Sequence, residues 1–155
     1  VLSNKAKFKK KDKLFFVDKY YKPELPFNLT KHLLKFANCS IDISDGLIDD
    51  LLKMINRQNL SFHLFENKIP VSNKLNNLIK KQRLNKINLI SNGDDYQVLF
   101  TADIKKARII QKASKTTGIK ITKIGKIVSG KDRSLIFDEK GKQIRAKSKG
   151  YIHRF

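Results

Sequence analysis

Tryptophan is absent from this sequence, cysteine and methionine occur once each, and proline occurs three times. A lone cysteine, Cys39, excludes an internal disulfide framework and fits a reducing compartment. No apolar run approaches the roughly 20 residues that a membrane span requires. The lysines at positions 5, 7, 9, 10 and 11 lead into no signal-peptide core. A cytoplasmic protein without membrane partners is therefore expected. There is no P-loop pattern, and His32, His63 and His153 have no companions at metal-ligand spacing. Acidic residues are also scarce, 14 against 34 basic ones, which leaves a net charge of +20.

That charge invites a polyanion reading, because clustered cations release counterions from a phosphate backbone. Only six of the basic residues are Arg, however, and the lysines are scattered apart from a cluster at positions 5 to 13. Readers of nucleic-acid bases favour the bidentate Arg fork. A solvated basic surface is the favoured reading and no nucleic-acid partner is expected; a small basic nucleic-acid-binding domain stays as the alternative. With 155 residues, 40% hydrophobic content and ten Phe, the chain is sized for one globular domain with a real core. It begins at Val1 and its first methionine is Met54, so a piece of a longer protein is expected.

Periodicity divides the chain into a basic helical lead-in and proline connector over 1–27 and a folded domain over 28–155. Asn28 is read as the cap of a helix, and residues 39–44 alternate as a strand. Leu47, Leu51, Leu52 and Ile55 then recur at the helical period. A strand is expected at 61–65, a helix at about 73–83, and an apolar stretch at 87–90 running into a loop. Further along follow a strand at 96–101, a helix at 104–116 ended by Gly118, a strand at 119–128, and a hairpin at 135–137 and 143–145. The economical fold class is α+β, a mixed sheet packed with helices.

Chemistry concentrates in two places. In Ile41-Asp42-Ile43-Ser44-Asp45-Gly46-Leu47, alternation puts Asp42 and Ser44 on one face, with Asp45 beside them at a turn that opens a helix. Two carboxylates and a hydroxyl there suit Mg²⁺ and nucleotide phosphates. Equally, Ser44 or Asp45 can cap the helix while Asp49 and Asp50 complement its positive end, and spacing alone favours that plainer reading. Ser91-Asn92-Gly93-Asp94-Asp95-Tyr96-Gln97 is either a solvated turn or an acidic face for a cationic substrate or metal. Tyr151 offers a flat ring with a polar end, for stacking or for packing. Cys39 reads as a small buried residue rather than a nucleophile, and no catalytic nucleophile stands out.

Taken in order, these segments resemble the thiamine-monophosphate kinase family, of the aminoimidazole-ribonucleotide-synthetase-related superfamily. That family's I-D-[IL]-S-D-G-L-x-x-D-L segment corresponds to residues 41–51, its G-G-[ED]-D-Y-E-L-x-F-T segment to the stretch ending at Thr101, and its G-Y-x-H-F ending to residues 150–155. The connector Tyr21-Lys22-Pro23-Glu24-Leu25-Pro26 is similar to its R-P-x-P-R stretch. Asn92 and Gln97 depart from the pattern, Asp94 stands where Glu is common, and Arg154 is inserted in the tail. The resemblance implies the C-terminal domain of a kinase that phosphorylates thiamine monophosphate to thiamine diphosphate, with ATP as co-substrate and Mg²⁺. It implies Asp42 and Asp45 as magnesium ligands, Ser44 as an ATP contact, and Asp94 and Tyr151 as substrate contacts. It further implies direct in-line transfer, a missing N-terminal domain with further metal-binding acids, a homodimer of the full-length protein, and an inactive fragment when alone. Another ATP-using enzyme of the same superfamily is the neighbouring alternative.

Overall fold

The structure, a computed structural model, describes residues 9–56, 58–131 and 133–146. Helix α1 (Lys10–Tyr21) leads through the proline connector to α2 (Phe27–Leu33) and strand β1 (Ala37–Asp42). Helix α3 (Leu47–Met54), strand β2 (Leu60–Phe65), α4 (Asn73–Gln82) and the short α5 (Lys86–Ile90) follow. Strand β3 (Val98–Ala102), α6 (Ala107–Thr117), β4 (Gly125–Ser129), β5 (Leu135–Phe137) and β6 (Gln143–Ile144) complete the described fold.

Strands β1 and β3 form an antiparallel pair, with Asp42 opposite Val98. The other four strands make a mixed sheet in the order β4-β2-β5-β6, in which β2 runs antiparallel to β4 and parallel to β5. The fold class is thus α+β with a mixed sheet, as expected. Helix α3 supplies one side of the main core: Leu47, Ile48, Leu51 and Met54 are buried at helical spacing against Phe62, Leu64, Ile87, Leu99 and Ile136. A smaller core gathers Leu29, Phe36 and Ala113, joining α2 to α6. The lead-in also touches the domain. Lys74 on α4 lies 4.6 Å over the Phe15 ring and 3.7 Å from the Asp12 carboxylate.

Local chemistry explains most element boundaries. The Ser72 hydroxyl accepts from the Leu75 N–H at 3.2 Å and starts α4, and the Asn85 side chain accepts from the Asn88 N–H at 3.0 Å to start α5. Gly118 ends α6 in the left-handed conformation at φ 70°. Elsewhere the structure corrects the sequence expectations. Helix α2 starts at Phe27, one residue before Asn28, and has no side-chain cap. The apolar stretch 87–90, to which the sequence assigned no element type, lies in α5, where Ile87 and Ile90 meet the core on one helical face. Of the expected 119–128 strand only 125–128 is paired, with Ser129 added at the end, because the β2–β4 register runs from Ser129 opposite Leu60 to Gly125 opposite Leu64. Strand β1 covers 37–42, so Ser44 lies beyond it in the turn. Among the described residues, no helix is long and apolar enough to cross a membrane.

Candidate functional site

The turn between β1 and α3 is organised by an acid that follows it. Asp50, only 1% exposed, turns one carboxylate oxygen back toward the chain. That Oδ2 accepts from the Ser44, Asp45 and Gly46 N–H groups at 3.0, 3.0 and 3.1 Å. These three donors sit at the open, positive end of α3, where no backbone carbonyl of the helix can satisfy them. Gly46 takes φ 119° as the residue that begins the helix, and no side chain caps it. Neither Ser44 nor Asp45 is therefore the cap that spacing alone favoured. Asp50 does that work from inside the first turn, much as a capping-box acid reaches back to its N-cap.

Around this clip lies a group of carboxylates. Ligand-capable oxygens of Asp45, Asp49 and Asp50 all fall within 4.8 Å of one another. The Lys53 ammonium sits among them, paired with Asp45, with Asp49 at 2.9 Å and with the second Asp50 oxygen at 3.0 Å. Hydrogen bonds to Asp45 and then Asp49 hold that ammonium protonated well above its ordinary range. An all-oxygen set with two partly exposed carboxylates fits a hard divalent cation such as Mg²⁺. Asp42 is not part of this group. Ile41 and Ile43 pack toward the main core, which turns Asp42 to the exposed opposite side of β1. Sequence reasoning passed over Asp49 as a ligand and Lys53 altogether. The available signal was their four-residue spacing, which places an acid and a lysine side by side on a helix.

The second motif is brought directly against the first. Beyond the β1–β3 pairing, the Ile43 N–H donates to the Gln97 carbonyl, the Tyr96 N–H to Ile43 and the Asp94 N–H to Ser44, each at 2.9 Å. Backbones approach so closely that two glycines are obligatory. A Cβ on Gly46 would lie 2.3 Å from the Ser91 carbonyl oxygen, and one on Gly93 would lie 2.0 Å from that of Ser44. Ser91 is buried and donates its hydroxyl to the Ile87 carbonyl at 2.7 Å, which anchors the loop to α5.

Within this loop Asp94 and Tyr96 adopt left-handed backbone at φ 69° and 50°. The Tyr96 hydroxyl donates to Asp94 Oδ1 at 3.3 Å. Asp95 keeps exposed surface, yet its carboxyl is crowded by surrounding protein. That loss of water, helped by the neighbouring Asp94 charge, raises its pKa to about 6. The structure thus joins Ser44, Asp45 and Asp94 in one neighbourhood, with Asp42 on the adjoining strand. Tyr151, the remaining expected contact, lies outside the described residues, as does the whole tail from residue 147.

Comparison with known proteins points the same way. No protein-family model matches the chain. The thiamine-monophosphate kinase of Buchnera aphidicola from Schizaphis graminum is 32% identical over 140 residues, which is 90% of this chain and 42% of that protein. The thiamine-monophosphate kinase of Aquifex aeolicus is 35% identical over 89 residues, covering 57% of this chain and 29% of the relative. Among solved structures, AaThiL complexed with AMPPCP and TMP aligns with a TM-score of 0.70 at 27% identity. That alignment covers 99% of this chain and 45% of the other. The chain therefore spans less than half the length of the relatives it matches.

Proposed function

From a chain homologous over most of its length to thiamine-monophosphate kinases, we propose the C-terminal part of an enzyme that phosphorylates thiamine monophosphate to thiamine diphosphate with ATP. The observation that carries this reading is the backbone contact between the two motifs, in which the Asp94 N–H reaches the Ser44 carbonyl at 2.9 Å. It sets a cation-capable carboxylate group beside an exposed acidic loop, which suits a site that must hold a metal–nucleotide and a cationic acceptor together. In this reading Asp45 and Asp49 hold Mg²⁺ beside Asp50, Asp42 contributes from the adjoining strand, Ser44 meets ATP, and Asp94 and Tyr151 face the substrate. The metal supplies charge neutralisation at the phosphoryl oxygens.

What this chain's residues do is mostly positioning. Asp50 locks the 44–46 turn so that the first motif presents a fixed geometry. Lys53 neutralises the carboxylates when no other cation does. The acceptor phosphate oxygen attacks the γ-phosphorus in line, and the bond to the leaving ADP oxygen breaks. No protein nucleophile is needed, since such transfers rest on alignment and electrostatics. A further N-terminal unit, a homodimer of the longer protein and a cytoplasmic site of action belong to the same proposal.

The test joins this chain to the N-terminal remainder of the Buchnera relative and measures thiamine diphosphate formed from ATP and thiamine monophosphate. Product is expected from the joined protein and none from the chain alone. Asp45→Asn and Asp42→Asn should each lower turnover by about 100-fold or more, the scale at which a positioned electrostatic group matters. A folded joined protein without product, or undiminished turnover in both variants, would refute the assignment.

A further inference from the structure

Tyr96 is an unusual residue for the place it occupies. Its backbone is left-handed, a region that aromatic side chains seldom enter, and Asp94 two residues earlier shares that strain. Three 2.9 Å hydrogen bonds with the first motif hold this loop in shape, so the ring is carried on a fixed frame. The ring is not absorbed by packing: Tyr96 remains 38% exposed, and its hydroxyl is engaged by the exposed carboxylate of Asp94. The Asp94 charge, with smaller effects from Tyr20 and Asp42, raises the phenol pKa, so the ring stays neutral at physiological pH. The Asp94 and Asp42 carboxylates place this ring in a local negative field. An exposed ring in such a field, on a molecule of net charge +20, is what a flat cation would seek.

We propose that Tyr96 is an aromatic platform for a flat, permanently cationic heteroaromatic ring, with Asp94 and Asp42 supplying the surrounding negative charge. This rests on the kinase reading, under which the thiazolium ring of thiamine monophosphate is that cation. It adds a specificity residue: Tyr96 selects the charged ring by its π-face, while the carboxylates keep the local potential negative. A phenyl ring does the same work, so the hydroxyl serves orientation only.

The experiment is a calorimetric titration of the joined protein with thiamine monophosphate and with an analogue whose thiazolium is replaced by an uncharged ring. Tyr96→Phe should bind thiamine monophosphate within about twofold of wild type, and Tyr96→Ala about tenfold more weakly, the scale of a cation–π contact. Wild type should also bind the neutral analogue about tenfold more weakly than thiamine monophosphate. Equal binding by wild type and Tyr96→Ala, equal binding of both ligands by wild type, or no binding at all overturns the platform. If Tyr96→Ala misfolds, the two-ligand comparison on wild type and Tyr96→Phe still decides. Platform and kinase fail separately. Thiamine diphosphate made by a joined protein whose Tyr96→Ala variant binds normally sinks only the platform. A Tyr96-dependent thiamine monophosphate complex in a protein that never forms product sinks only the kinase.

Discussion

The turn at 43–46 and the loop at 91–97 touch along their backbones but are held by different means. The turn owns a dedicated side chain, because the buried Asp50 carboxylate gathers three N–H groups and Lys53 balances its charge. The loop has no such clip. Its Asp94 and Tyr96 amides donate to the turn, its strain is carried at Asp94 and Tyr96, and its Asp94 carboxylate stays exposed while that of Asp95 is crowded by protein. One motif is therefore self-organised, and the other takes its shape from the first. A polar network in a buried place rewards full satisfaction, whereas an exposed strained loop persists only while its scaffold over-determines it.

Removing the clip should do the most damage. Asp50→Ala strands three amides, while Lys53 keeps Asp45 and Asp49, and should cost about 3–5 kcal/mol in urea unfolding, at roughly 1–3 kcal/mol for each unsatisfied group. A loss below about 1 kcal/mol would show that water serves the turn as well as the carboxylate does. Next comes the interlock. Gly93→Ala places a methyl 2.0 Å from the Ser44 carbonyl oxygen and should cost about 1–3 kcal/mol, the usual scale of overpacking. In NMR spectra the amides of 43–46 and 91–97 should shift together, and shifts confined to the loop would break the claim that the two are one unit.

The smallest effect sharpens the contrast in charge. Asp95 has a folded-state pKa raised from 3.8 to about 6, so between those values the folded protein holds more proton than the unfolded chain. Its contribution to stability is present at low pH and lost as pH rises through that window. Asp95→Asn should therefore raise the melting temperature by a few degrees at pH 8 and leave it unchanged at pH 3.5. Screening of this partly solvated group keeps the effect modest. Equal shifts at both pH values would place the cause in packing rather than charge.

Much of the architecture was legible because it rests on local periodicity. The apolar spacing of Leu47, Leu51 and Ile55, the stop at Gly118 and the hairpin turn at 138–141 are all visible in one dimension and recur in the fold. The rest fell where local signals tie. Residues 87–90 are too few to separate helix from strand by period, so their type stayed open until the burial of Ile87 and Ile90 decided for helix. Alternation in 119–128 promised a longer strand than its partner β2 could pair.

The site divides along the same line. Residue types alone left 41–51 open between a helix cap and a metal site, and 91–97 between a solvated turn and an acidic face; their order along the chain, matched to the kinase family, singled them out. Their meeting was decided only in three dimensions. Antiparallel pairing of β1 with β3 carries Ser44 to Asp94 across about fifty positions of chain. The roles of Asp50 and Lys53 are likewise tertiary, because whether an acid ligates, caps or pairs depends on which amides and ammonium the fold delivers to its oxygens.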